Sequence, residues 1–77
     1  MLQQIVDRLK NYPNGVHGVL SGWLVDLQSS NFSHSDSAFD KIQGLLWGLE
    51  GAGFITSSEH GAATDELLTI EKERIMR

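Results

Sequence analysis

The stretch from Ser35 to Ile70, SDSAFDKIQGLLWGLEGAGFITSSEHGAATDELLTI, constrains the fold of this chain more than any other. Phe39, Ile42, Leu45, Leu46 and Leu49 line one side of a 3.6-residue period, which predicts a helix over 36–52. Ser35, Asp36 or Ser37 offers a capping oxygen at its start, and Ser37 with Asp40 resembles a capping box with aspartate in place of glutamate. Gly51 and Gly53 mark its end, because glycine enters the left-handed closing conformation without a Cβ penalty. Phe54-Ile55-Thr56 and Leu67-Leu68-Thr69-Ile70 are short strand-like runs. The polar SSEHGAATDE between them, with Gly61 near its middle, predicts a β-hairpin with strands over 54–57 and 66–71.

Two shorter helical patterns come first. Leu2, Ile5, Val6 and Leu9 recur at i, i+3, i+4 and i+7 and predict a helix over 2–11. Tyr12-Pro13-Asn14-Gly15 ends it, since proline disfavours helix in the residue before it and Asn-Gly is turn chemistry. Val16, Val19, Leu20, Trp23, Leu24 and Leu27 predict a second helix over 16–28, with Trp23 in the core. Phe32 is expected to plug the core from the polar connection before helix three, and residues 71–77 admit strand, short helix or frayed end. The expectation is one α+β domain over 1–77: three helices closed by a two-stranded hairpin.

This element order resembles the winged helix-turn-helix superfamily. The motif that carries the likeness runs Leu45-Leu46-Trp47-Gly48-Leu49-Glu50-Gly51-Ala52-Gly53-Phe54-Ile55, where many such domains leave their third helix for the wing. The resemblance implies a winged-helix scaffold that binds DNA, with the start of helix three in the major groove and the wing on the backbone. The matching positions here are Ser35, Ser37, Lys41 and Gln43 on the helix, and Ser57, Ser58, His60 and Thr64 on the wing.

Charge runs against that use. The formal net charge is −4, and between Lys10 and Lys72 the single cation is Lys41. Helix three and the hairpin bring Asp36, Asp40, Glu59, Asp65 and Glu66 against it. DNA affinity rests largely on lysine and arginine neutralising phosphates, and a surface of this sign repels a polyanion over roughly 8–10 Å. The basic residues lie at the chain ends: Arg8 and Lys10, then Lys72, Arg74 and Arg77, a weak footprint diluted by Asp7, Glu71 and Glu73.

Glycine placement is the second notable feature. Gly44, Gly48 and Gly51 lie away from the Ile42 face of helix three, with Trp47 beside them, and Gly18 and Gly22 lie opposite Leu20 on helix two. Each glycine inside a helix costs about 1 kcal/mol relative to alanine. Three readings account for them: another molecule approaches closely, with Trp47 as an aromatic anchor; helix one packs across them; or the helices simply tolerate them. Trp47 itself either folds back over the wing or stays exposed for a partner.

His17, His34 and His60 are too scattered for a metal motif and read as solvated loop residues. No nucleophile elbow, phosphate loop or HExxH is present, and no cofactor or small-molecule substrate is called for. The absence of cysteine rules out disulfides as staples for a chain that buries only about 60% of its unfolded surface. It also fits a reducing compartment. With no apolar run near the roughly 18 residues of a membrane span and no signal-peptide pattern, the expected location is cytoplasmic.

Together these residues point to a non-catalytic regulatory or adaptor protein that acts through protein–protein contact, with itself or another protein. Its contact residues are Gly44, Trp47, Gly48 and Gly51, with Glu59, Asp65 and Glu66 as acidic secondary contacts. Two alternatives stay open. One is a DNA-binding transcriptional regulator using Ser35, Ser37, Lys41, Gln43 and His60. The other is a small acidic inhibitor, of the kind phages encode, that occupies the nucleic-acid channel of its target.

Overall fold

In the computed structural model, Leu2, Ile5, Val6 and Leu9 are all buried, so the stripe read from the sequence is the inward face of α1 (Leu2–Leu9). The model describes residues 1–12, 15–28 and 32–75, with side chains described outside 32–35 and 74–75. The expected turn residues Pro13 and Asn14 therefore lie outside the described residues, as do the side chains of Phe32, His34, Ser35 and Arg74, and all of Arg77. Helix α1 closes sooner than expected. Asn11 N–H reaches Arg8 O at 3.2 Å and Tyr12 N–H reaches Leu9 O at 3.0 Å, tighter bonds that unwind the helix ahead of proline.

Gly15, at φ +75°, opens α2 (Val16–Leu27) from the left-handed region that a side chain resists. Leu20 and Leu27 are fully buried, and Trp23 and Leu24 pack half-buried against the core. Val19, expected on the inward stripe, is instead exposed. Helix α2 is apolar on more than one side, so composition alone does not say which of its faces turns inward.

Helix α3 (Phe32–Gly51) buries Ala38, Ile42 and Leu46 and half-buries Phe39, Leu45 and Leu49, as the periodicity predicts. It starts earlier than expected: Ser35, Asp36 and Ser37 lie inside it and do not cap it. Residues 32–36 contain neither glycine nor proline, so nothing there forbids the extra turn. At its other end Gly53, at φ +78°, closes a Schellman motif. Phe54 N–H bonds Leu49 O at 2.9 Å and Gly53 N–H bonds Glu50 O at 3.0 Å. Of the two glycines expected to stop the helix, Gly53 does so, while Gly51 is its last residue.

The expected hairpin is a helix. Residues Ser57–Ile75 form α4, and there is no strand among the described residues, so the chain is an all-α domain of four helices and not an α+β winged helix. Both predicted strands, 54–57 and 66–71, and the wing between them are thereby corrected. Two local features outweigh the turn chemistry. Thr56 and Glu59 form a reciprocal capping box: Glu59 N–H donates to Thr56 Oγ1 at 3.1 Å, and Thr56 N–H donates to Glu59 Oε1 at 2.9 Å. Downstream, His60, Ala63, Leu67 and Ile70 recur at spacings of three, four and three; the first three are buried and Ile70 packs half-buried against the core. A four-residue apolar run such as Leu67–Ile70 does not by itself separate strand from buried helix. Gly61 sits inside the helix as an exposed residue, not at a turn.

Helix α2 packs chiefly against α3, with α1 laid on α2 and α4 on α3. Two ion pairs join the first helix to the last: Arg8 Nη2 with Glu59 Oε2, and the Met1 ammonium with Glu66 Oε2 at 2.8 Å. Glu66 Oε2 also accepts Leu2 N–H at 3.1 Å, so α4 caps the start of α1. No helix among the described residues is long and apolar enough to cross a membrane.

The helical reading of 57–75 makes a signed prediction. A Cβ added at Gly61 meets no atom within 4 Å, so Gly61→Ala should raise stability in urea unfolding by about 0.5–1 kcal/mol. A hairpin turn at Gly61 would give a loss in place of that gain.

Candidate functional site

Helices α3 and α4 run antiparallel, joined by the short turn at 52–56, and their facing residues meet in pairs. Gln43 Nε2 donates to Thr64 Oγ1 at 3.4 Å near the middle of the two helices, and Glu50 meets Ser57 and His60 where α3 ends and α4 begins. The Schellman turn and the capping box set this register. Together they place His60 one turn into α4, beside the last turn of α3.

His60 is buried, with 5% of its surface exposed. Its Nδ1 donates to Glu50 Oε1 at 2.7 Å, while Ser57 Oγ donates to Glu50 Oε2 at 3.2 Å. The carboxylate is thus held at both oxygens, and a neutral His60 is fixed with its proton on Nδ1. Trp47, one turn before Glu50, lies edge-on to the imidazole, with ring centroids 4.5 Å apart and planes at 88°. Such pairs contribute about 0.5–1.5 kcal/mol beyond burial. The indole is held on one side and open elsewhere: Trp47 is 65% exposed.

These residues border an open groove of about 410 Å³, lined by Trp47, Glu50, Ser57, His60, Gly61, Thr64 and Asp65. The groove exists because α4 is a helix: its 57, 60, 61 and 64 positions form one face against α3. The arrangement does not make a nucleophile. Ser57 donates to the carboxylate and not to the imidazole, and Glu59, the carboxylate beside His60 in sequence, belongs to Arg8. Among the described residues no three of His, Asp and Glu come together as a metal site.

The residues expected to contact a partner divide in two. Gly44, Trp47, Gly48 and Gly51, at i, i+3, i+4 and i+7, share one exposed face of α3, and Asp65 stands on the groove across from it. A Cβ built at Gly44, Gly48, Gly51, Gly18 or Gly22 meets nothing within 4 Å, so among the described residues no helix packs across these glycines. That corrects the reading in which α1 covers them. Glu59 and Glu66 are turned instead toward α1. The hydrogen bond from Arg8, then that from Thr56 N–H, holds the Glu59 carboxyl down at about 2. Burial pushes Glu66 up, but the Met1 ammonium and Leu2 N–H together outweigh it and lower its pKa.

The nucleic-acid alternative does not gather on one surface. Ser37 and Lys41 are exposed on α3, whereas Gln43 is half-buried against Thr64, and His60 is buried and bonded to Glu50. The reading of His60 as a solvated loop residue is corrected by its place inside a helical hairpin. Arg8 and Lys10, expected in a terminal basic patch, pair with Glu59 and Asp7. Sequence reasoning overlooked Glu50 as the partner of His60. The signal that would have found it was Thr56-Ser57-Ser58-Glu59, a helix start that folds 57–60 back on the end of α3.

No family model, curated protein or solved structure matches the chain.

Glu59 gives the domain an acid-sensitive tie. Its carboxyl titrates near 2 when folded against an ordinary value of 4.5, so the stability it contributes is complete above 4.5 and is lost as pH falls toward 2. The urea midpoint should therefore drop steadily on acidification through this window. Glu59→Gln should flatten that dependence; an unchanged slope in the variant would exclude the Arg8–Glu59 tie as its source.

Proposed function

We propose that this protein is a non-catalytic binding module of regulatory or adaptor type, acting through protein–protein contact on the outer face of α3. The observation that carries the reading is Trp47: a tryptophan 65% exposed yet held by a buried histidine that is itself fixed by a carboxylate. An aromatic ordered before binding loses little entropy on association, which is why such residues dominate binding energies.

The surrounding glycines support it. Gly44, Gly48, Gly51 and Gly61 leave the ground on either side of the indole without side chains, and nothing among the described residues fills the space. Each interior helical glycine costs about 1 kcal/mol, a cost with no return inside the domain. A partner backbone approaching Trp47 would use that space.

Stability and binding should separate under mutation. Gly48→Leu fills open solvent with a better helix former, so the fold should be as stable or more so, by up to about 1 kcal/mol. The same leucine should block the approach to Trp47. Immobilised wild-type protein should retain partners from its native lysate that both Gly48→Leu and Trp47→Ala lose, with the helical circular dichroism of both variants intact. Equal retention by all three proteins would remove this reading.

A further inference from the structure

We infer that the groove beside Trp47 receives an arginine side chain of the partner, an inference that rests on the protein–protein reading and gives its partner a chemistry. The lining contains two carboxylates, Glu50 and Asp65, an exposed indole, and no lysine or arginine. The other acidic groups of α4 near α1 are satisfied within the chain: Glu59 by Arg8, and Glu66 by the Met1 ammonium and Leu2 N–H. Asp65 is different. Its backbone oxygen accepts Thr69 Oγ1 at 3.0 Å, but its carboxylate has no partner among the described residues.

The groove therefore offers one anchored carboxylate, one unpaired carboxylate and one aromatic surface. An anionic group would be repelled there, and a purely apolar one would desolvate Asp65 without compensation. A cation satisfies all three features. Guanidinium fits better than ammonium, because it is planar, stacks on indole, and meets a carboxylate through two parallel hydrogen bonds. Glu50 is held at one oxygen by His60 and at the other by Ser57, yet each carboxylate oxygen has a second lone pair to offer. Gly61, exposed on α4 beside the groove, lets the chain bearing the arginine come close.

The test is a ¹⁵N NMR titration of the intact protein with a blocked peptide of alternating glycine and arginine, alongside its lysine and glutamate counterparts. The arginine peptide should produce saturable shifts at the Trp47 indole N–H and at the Gly61, Thr64 and Asp65 amides, weakening as salt rises toward physiological strength. Asp65→Asn preserves shape at an exposed position and should weaken binding about tenfold, the effect of removing one charge-assisted pair. Trp47→Ala should weaken it at least as much, and the lysine peptide should bind several-fold less tightly. Saturable binding of the glutamate peptide, no localised shift with arginine, or unchanged affinity in Asp65→Asn would overturn the assignment. So would a self-associated form, seen by sedimentation, that needs Trp47 but is not displaced by the arginine peptide. Partners retained through Trp47 with equal strength by wild type and Asp65→Asn would sink the arginine and leave the protein–protein reading standing. Equal retention by wild type and Trp47→Ala would remove both.

Discussion

Glu59 performs two tasks with its two carboxylate oxygens, and the arrangement of α4 depends on both. Oε1 accepts Thr56 N–H, completing the box that starts the helix; Oε2 takes the Arg8 guanidinium, tying that helix to α1. Neither bond is large alone. A single cap stabilises a helix only modestly, and an ion pair at a partly exposed site adds less still in most cases. Their effect is positional. They decide that the chain after Gly53 becomes a helix beginning at Ser57, and that this helix lies where its covered positions meet α3. In a domain this small, a few such local choices select among architectures of similar apolar content.

From that start the site follows by geometry. The Schellman turn at Gly53 reverses the chain within a few residues, the capping box begins α4, and His60 falls one turn in, opposite Glu50. The buried His60, bonded to the half-buried Glu50, then stands against Trp47 and limits where the indole can go. A tryptophan presented this way differs from one merely stranded at the surface, since its orientation is held by a bonded pair below it. The open glycines around it expose α3 and α4 backbone, and the groove stays acidic because Glu59 and Glu66 engage the nearby cations, Arg8 and the Met1 ammonium, away from it.

The winged-helix resemblance rested on three helices followed by a hairpin; the three helices and the glycine stop are present, and the hairpin it also required is a fourth helix. Resemblance and structure part at Ser57–Glu66, a polar stretch rich in turn formers that is helical here. Gly61 and the serines are turn residues by frequency, but an exposed helix position tolerates glycine at about 1 kcal/mol. Thr56 and Glu59, together with Ala62 and Ala63, favour the helix by more than that. The positions expected on the wing lie on α4 instead, and His60 passes from a solvated loop to a buried, bonded residue.

By itself the sequence determined the inward faces of α1 and α3, the glycine stop after α3, the acidic balance, and the grouping of Gly44, Trp47, Gly48 and Gly51 on one surface. These are consequences of periodicity and of glycine's backbone freedom, both of which act over a single turn of chain. It held the capping box of α4 as well, although the turn formers after it obscured the reading. Only tertiary structure decided which carboxylates are spent internally, that His60 pairs with Glu50, and that, among the described residues, nothing covers the glycines and Asp65 has no partner for its carboxylate on the groove it shares with Trp47. Each of these joins residues ten or more positions apart, or depends on what fails to pack against them. Such distances are set by how four helices share one core, not by any local pattern.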